Sequence, residues 1–137
     1  MMIKFAHCCD PIPGDEIVGF ISRGHGVTIH RADCKAVKSL EQSRLMPLNW
    51  NDDTEDSTYV AKIRLIVKDG SGSLASIINK ISEQKLNIAK IESKDIKDGK
   101  AIVDVAVFIS NTKKLDELIS KLTNLENVLD IYRGEKD

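Results

Sequence analysis

Alternating apolar side chains between Tyr59 and Lys68 constrain the fold of this chain more than any other feature of its sequence. Every second residue of this segment is apolar, and Lys62 and Arg64 lie at intervening positions. A period of two is typical of a strand that buries one face and exposes the other. The segment therefore predicts one strand of a sheet that is covered on a single side.

A helix is predicted directly after this strand. Residues 69–73 are small or polar and form a predicted loop, in which Ser71 or Ser73 is placed to cap the helix that follows. The next apolar residues share the spacing of one helical face: Leu74, Ile77, Ile78 and Ile81. This spacing predicts an amphipathic helix that packs against the sheet.

The rest of the chain predicts two strands, a second helix and a closing strand. Strands are predicted over 88–96 and 102–109, and Asp98-Gly99 between them is typical of a hairpin turn. The 102–109 segment is apolar on nearly both faces, which predicts a central strand. A second helix is indicated by apolar residues at helical spacing: Leu115, Leu118, Ile119 and Leu122. With a strand over 128–132, the order is β-α-β-β-α-β, a ferredoxin-like plan with two helices on one face of an antiparallel sheet.

An acidic stretch, 51–57, precedes this pattern. It contains four acidic residues, no basic residue and no large apolar residue. Such a stretch cannot contribute to a core, so it predicts an exposed linker between a first domain at 1–50 and a second domain at 58–137. The fold class predicted for the whole chain is α+β.

Charge and hydropathy exclude some classes of protein. The formal net charge of −1 gives no general attraction to nucleic acid or to a membrane surface. No apolar run approaches the roughly 18 residues that a membrane-spanning helix needs, and the first residues lack the apolar core of a secretory signal. We therefore expect no membrane contact and a cytoplasmic location.

All three cysteines lie in the first domain, which has few large apolar residues. Cys8 and Cys9 are adjacent, and His30 and Cys34 follow with three residues between them. A domain this small usually needs a staple such as a metal, and zinc takes about four nitrogen or sulfur ligands. Adjacent side chains of a strand point to opposite faces, so Cys8 can join the set only where the backbone turns, and His7 is the alternative ligand.

Other interpretations of the first domain remain open on spacing alone. The cysteines can be small buried apolar residues, or one of them can be a reactive thiol. The domain is otherwise predicted to contain two short strands with tight turns. Asp33 is placed to cap a short helix over 34–40.

Two long strings give the first domain a resemblance to a known family. They are C-C-x-P-x-P-G-D-x-I-x-G, from Cys8, and G-V-x-I-H-R-x-D-C, ending at Cys34. Both resemble the zinc-finger (conserved-cysteine) domain of long RelA/SpoT proteins, the synthetases and hydrolases of the alarmone (p)ppGpp. In that family an ACT domain of β-α-β-β-α-β order follows, the order predicted here. The resemblance implies a zinc-stapled α+β module in which Cys8, Cys9, His30 and Cys34 hold zinc.

The resemblance also implies a function for the chain. The C-terminal region of these proteins contacts the ribosome and uncharged tRNA, and relays amino-acid starvation to catalytic domains. This sequence contains no His-Asp pair for a hydrolase metal and no candidate pyrophosphoryl-transfer site, so we expect a regulatory fragment without enzymatic activity. Arg23, His25 and Arg31 lie in or beside predicted turns and are candidate contacts to rRNA phosphates.

The predicted second domain offers an alternative function. ACT domains often bind an amino acid where the first strand meets the first helix, commonly at a homodimer interface. Asp69, Gly72 and Leu74 keep the family's loop skeleton D-x-x-G-x-L, and small residues let a carboxylate approach backbone N–H groups. The resemblance implies a branched-chain amino acid as ligand. The alternative is therefore a ligand-binding module that regulates through oligomerisation.

Overall fold

A computed structural model describes residues 2–24, 26–50 and 57–134 of the 137-residue chain. Within these ranges it contains two four-stranded sheets. They define a first module, within residues 2–50, and a second module, residues 57–134. The predicted α+β class is confirmed. Apart from Ser57, the predicted linker 51–57 lies outside the described residues.

The sheet of the first module has the strand order β1-β3-β2-β4. Its strands are β1 (Ile3–Phe5), β2 (Ile17–Ser22), β3 (Gly26–Arg31) and β4 (Leu45–Leu48). β1 is parallel to β3, whereas β2 is antiparallel to both β3 and β4. Two 3-10 helices, Lys35–Ser39 and Gln42–Arg44, connect β3 to β4. The prediction of two strands was therefore too low, since β1 and β4 are also present.

The sheet of the second module has the strand order β6-β7-β5-β8, with every pair antiparallel. In chain order its elements are β5 (Tyr59–Lys68), α1 (Gly70–Glu83), β6 (Ile88–Asp95), β7 (Lys100–Ile109), α2 (Thr112–Thr123) and β8 (Val128–Arg133). The predicted β-α-β-β-α-β order is confirmed, and so is the central place of β7. Neither helix in the described part of the chain is long and apolar enough to cross a bilayer.

The pattern that predicted β5 corresponds to its burial. Ala61, Ile63, Leu65 and Val67 are buried on the face that α1 and α2 cover. On the other face, the Arg64 guanidinium donates two hydrogen bonds to the Asp104 carboxylate of β7, at 2.7 and 3.0 Å. This carboxylate raises the pKa of Arg64. The sheet therefore has one apolar side and one side that carries charge.

Two predicted helix caps were wrong. The helix predicted over 34–40 is the 3-10 helix Lys35–Ser39, and the Asp33 carboxylate accepts hydrogen bonds from Arg31 at 2.9 and 2.7 Å instead of capping it. No serine caps α1: Ser73 lies inside the helix, and its hydroxyl donates to the Lys68 carbonyl at 2.6 Å. In both places the side chain that was expected to cap the helix forms a hydrogen bond with a nearby residue instead.

The segment Asp10–Asp15, here called the docking loop, joins the two modules. Ile12 at its centre is fully buried within the apolar core of the second module. The Arg133 guanidinium donates two hydrogen bonds to the Asp15 carboxylate, at 2.8 and 2.9 Å, and a third to the Asp10 carbonyl at 2.7 Å. The first module is therefore fixed to the second by both apolar burial and an ion pair.

Three aromatic rings lie at the same junction. The rings of Phe5 and Trp50 are stacked, with centroids 5.7 Å apart and planes inclined by 6°. The Tyr59 ring, at the start of β5, meets Trp50 edge-on at 5.4 Å. The Trp50 indole N–H also donates to the Asp15 carbonyl at 3.0 Å. Trp50 therefore contacts the docking loop and both modules.

Candidate metal centre

Four side chains of the first module converge on one point. The ligand atoms of Cys8, Cys9, His30 and Cys34 all lie within 4.8 Å of one another. The Cys8 sulfur is 4.0 Å from the Cys9 sulfur and 3.5 Å from the Cys34 sulfur. The His30 Nδ1 atom is 3.5 Å from the Cys8 sulfur and 3.9 Å from the Cys9 sulfur.

These separations fit one tetrahedral ion. Metal–sulfur bonds of about 2.3 Å and metal–nitrogen bonds of about 2.0 Å place tetrahedral sulfur ligands about 3.8 Å apart, and sulfur and nitrogen about 3.5 Å apart. The observed sulfur–sulfur distances, 3.5 and 4.0 Å, bracket the first value, and the observed sulfur–nitrogen distances, 3.5 and 3.9 Å, begin at the second. Because the donors are thiols and an imidazole, the four side chains could hold a metal ion.

A backbone turn allows adjacent cysteines to face the same point. The residues around Cys8 and Cys9 form a turn, closed by a hydrogen bond from the Asp10 N–H to the Ala6 carbonyl at 3.0 Å. Asp10 has a φ of 46°, in the left-handed region. The chain therefore reverses before Cys9 can continue as a strand, which removes the alternation that would separate the two sulfurs.

The other two ligands come from β3 and the segment after it. His30 is near the end of β3, opposite Val18 of β2. Cys34 follows, and its N–H donates to the Arg31 carbonyl at 3.0 Å. The Arg31 N–H in turn donates to the Cys9 sulfur at 3.3 Å. The backbone N–H and carbonyl of Arg31 thus help to position the thiols of Cys9 and Cys34, respectively.

Burial shifts the pKa of three side chains of this cluster. It raises the pKa of the Cys9 thiol to about 12, raises that of Cys8, and lowers the pKa of His30. A reactive thiol needs the opposite shift, so these directions do not favour a reactive thiol at Cys8 or Cys9. A metal would displace protons from the thiols and would meet an imidazole already in its neutral, ligating form.

His7, the alternative fourth ligand, does not belong to this cluster. It is exposed, and its backbone carbonyl accepts a hydrogen bond from the Lys62 ammonium at 3.3 Å. The cluster found among the described residues is the four-residue set that the family resemblance implies.

The candidate RNA contacts are not brought together. Arg23 is exposed in the turn after β2, whereas Arg31 pairs with Ile17 at the opposite end of the β2–β3 hairpin. The Arg31 side chain is only 12% exposed, and its two hydrogen bonds go to Asp33. His25 lies outside the described residues.

The candidate amino-acid ligands of the second module lie along one turn. Asp69 is the N-cap of α1, with a φ of 52°, and Gly72 lies in the first turn, close to the Asp69 carboxylate. Leu74 is half-buried and packs against the core. The Leu74 side chain therefore packs in the core and is not available to a ligand. Asp69 and the backbone around Gly72 lie nearer the surface.

Sequence reasoning missed the residues that join the modules. Ile12, Asp15 and Arg133 were not singled out, because Ile12 sits between two prolines in a segment without periodicity. The available signal was an apolar residue in a polar turn, with an acidic residue three positions later. That arrangement has a local cause as well, since the Asp15 carboxylate accepts a hydrogen bond from the Ile12 N–H at 2.8 Å.

Family models match both parts of the chain. Residues 1–51 match the RelA/SpoT RIS domain, and residues 55–133 match the ACT domain. Neither of the two is a catalytic domain. The described fold of the second module agrees with its match, because an ACT domain has the β-α-β-β-α-β order observed here.

Individual proteins match almost the whole chain. The GTP pyrophosphokinase of Escherichia coli K12 is 34% identical in an alignment of 137 positions, which covers 97% of this chain and 18% of that protein. The GTP pyrophosphokinase of Myxococcus xanthus is 32% identical over 133 residues, which are 97% of this chain and 17% of that protein. The chain therefore spans less than a fifth of the length of these relatives.

A solved structure matches the second module. The crystal structure of the ACT domain from the GTP pyrophosphokinase of Chlorobium tepidum is 31% identical and has a TM-score of 0.50. The similarity covers 57% of this chain and 100% of that one. The chain therefore belongs to the RelA/SpoT family, with the first module as a RIS domain and the second module as an ACT domain of its C-terminal regulatory region.

Proposed function

We propose that these domains form the starvation sensor of a cytoplasmic (p)ppGpp synthetase or hydrolase. In this role they contact the ribosome and uncharged tRNA, and they relay amino-acid starvation to catalytic domains elsewhere in the protein. The observation that carries the proposal is the match of 97% of the chain to a GTP pyrophosphokinase at 34% identity. The two matched domains are regulatory, which leaves sensing as the activity that these residues can supply.

Ribosome contact must use a few specific charges. The formal net charge of −1 provides no broad positive field, so binding has to depend on shape and on local phosphate contacts. Arg23 is exposed at the tip of the β2–β3 hairpin and is available for such a contact. Arg31 is engaged with Asp33, so Arg23 is the residue to test first.

Binding of the full chain to ribosomes carrying deacylated tRNA, measured by cosedimentation over a range of salt concentrations, tests the proposal. We expect Arg23→Glu to weaken binding and to reduce the slope of log affinity against log salt by about one unit, because one phosphate contact is lost. Lys97→Glu is the matched control, since it makes the same charge change at the exposed β6–β7 hairpin. Absence of binding by the unmodified chain would contradict the proposal.

Zinc is the metal that we propose for the four-residue cluster. Three thiols and one imidazole are soft and borderline ligands that suit zinc, and a closed set of four protein ligands is typical of a structural site. The small apolar content of the RIS domain gives such a metal a role in folding.

Elemental analysis of untagged, freshly reduced protein should give one equivalent of zinc per chain. Cys34→Ser should bind it far more weakly, because the hydroxyl does not replace a thiolate ligand. His7→Ala is the matched control, since the imidazole of His7 is exposed, and it should retain full zinc content. A zinc content well below one equivalent in the unmodified protein would exclude a structural zinc site.

A second candidate function is amino-acid binding by the ACT domain, coupled to homodimer formation. The observation in its favour is that no side chain caps the first turn of α1. L-Valine or L-isoleucine should then raise the melting temperature of the chain, and Gly72→Val should abolish the effect. D-Valine serves as the control ligand. Equal shifts with both enantiomers, or no shift, would oppose this function.

A further inference from the structure

The metal ligands and the ACT domain are connected by one short segment. Cys9 directly precedes the docking loop, Asp10–Asp15, and Asp15 at the end of this loop is bound to Arg133 through both oxygens of its carboxylate. One end of the loop is therefore fixed by the metal ligands and the other by the ACT domain.

The loop contacts the ACT domain at several points between Asp10 and Asp15. Ile12 is fully buried among the apolar residues of the ACT core. The Pro13 carbonyl accepts a hydrogen bond at 2.8 Å from the N–H of Thr112, the first residue of α2. The Asp10 carboxylate pairs with the Lys62 ammonium at 3.0 Å. The Ile12 side chain, the Pro13 carbonyl and the Asp10 carboxylate can make these contacts at the same time only if the loop adopts one position.

A close approach at Gly14 adds a further constraint. Gly14 has a φ of 104°, and a Cβ atom at this position would collide with the Thr112 side chain. The loop backbone thus lies directly against the start of α2. A small shift of the loop would break the hydrogen bond to Thr112 and withdraw Ile12 from the core.

Within the RIS domain, the start of the loop has little apolar support. The buried cluster at this point consists of Ala6 and two of the ligands themselves, Cys9 and Cys34. A metal held by four side chains would connect the Cys8–Cys9 turn to β3 and to the segment after it. Such a connection would replace the large apolar residues that usually hold a loop in place.

We propose that the metal centre controls the docking of the ACT domain onto the RIS domain. With the metal bound, the segment after Cys9 is held where Ile12 enters the ACT core. Without the metal, the loop loses its anchor and the ACT domain separates from the RIS domain. Binding free energies are reciprocal, so weaker docking also lowers metal affinity by the same factor. This control rests on the metal site proposed above and is independent of whether the chain binds ribosomes.

Amide hydrogen exchange at Thr112 provides the first test. In the full zinc-loaded chain, the Thr112 N–H is protected by the Pro13 carbonyl, so removal of zinc with a chelator should accelerate its exchange at least tenfold. The Lys114 N–H, which donates to the Asn111 side chain of the ACT domain at 2.9 Å, should change little. Unchanged protection of Thr112 after metal removal would overturn the proposal.

The reciprocal test measures zinc affinity by competition with a chromophoric chelator. Thr112→Pro removes the N–H that binds the Pro13 carbonyl, yet proline is well tolerated at the first position of a helix. We expect it to lower zinc affinity about fivefold or more, although it lies far from the ligands in sequence. Thr112→Ser keeps the N–H and should bind zinc as the unmodified chain does. Equal affinity in both variants would overturn the proposal, even if the metal-free chain unfolds as a whole.

Discussion

Ile12→Ala is expected to lower the free energy of unfolding of the ACT domain by about 2–5 kcal/mol, although Ile12 belongs to the RIS domain. Its side chain is fully buried in a core otherwise built from β5, β7 and the two helices. Truncation removes apolar contacts and leaves a cavity where the surrounding elements cannot close. Denaturant unfolding of the full chain, followed by far-ultraviolet circular dichroism, measures the change.

Two isoleucine variants calibrate this result. Ile12→Val keeps most of the side chain and should cost only about 0.5–1.5 kcal/mol. Ile78→Ala removes a side chain of α1 that is 38% exposed, and should cost about 0.5 kcal/mol or less. A loss at Ile12 as small as that at Ile78 would mean that the docking loop does not complete the ACT core.

Arg133→Met is expected to cost about 3 kcal/mol. The Arg133 and Asp15 side chains are 16% and 11% exposed, so removal of the guanidinium leaves a carboxylate nearly buried without its cationic partner. The Asp10 carbonyl loses a hydrogen bond in the same step. By contrast, Lys90→Met breaks the exposed pair with Glu92 and should give no measurable change.

A double-mutant cycle separates the ion pair from the rest of this cost. Asp15→Asn removes the charge but keeps an oxygen that can accept the Ile12 N–H. The Arg133→Met, Asp15→Asn double variant should therefore be about 1–3 kcal/mol less destabilised than the sum of the single variants. Additivity within about 0.5 kcal/mol would mean that the two charges do not stabilise each other in the folded chain.

The fold of the ACT domain was predictable because the sequence patterns that indicate it involve residues close together in the chain. The alternation in β5, the helical spacing around Leu118 and the Asp98-Gly99 turn each concern neighbours in sequence. Asp98 and Gly99 have φ values of 65° and 71°, as the turn chemistry requires. The central position of β7 was predicted from apolar residues on nearly both of its faces, with Asp104 as the exception.

The RIS domain was less predictable because its partners are distant. β1 has three residues and β4 has four, too few for a period to be recognised. The Asp15–Arg133 pair spans 118 positions, and no pattern within one segment can indicate such a contact. The spacing of the four ligands alone also could not predict that they converge, because their convergence depends on the left-handed backbone conformation of Asp10.

The aromatic group at the junction has a practical consequence. Trp50 is the sole tryptophan of the chain, and it stacks on Phe5 while its indole N–H binds the docking loop. Its emission spectrum therefore depends on the region where the described residues of the RIS and ACT domains meet. Separation of the domains would expose the indole to water and shift its fluorescence to longer wavelength. The molecule thus carries an intrinsic optical probe of its own domain arrangement, which needs no added label.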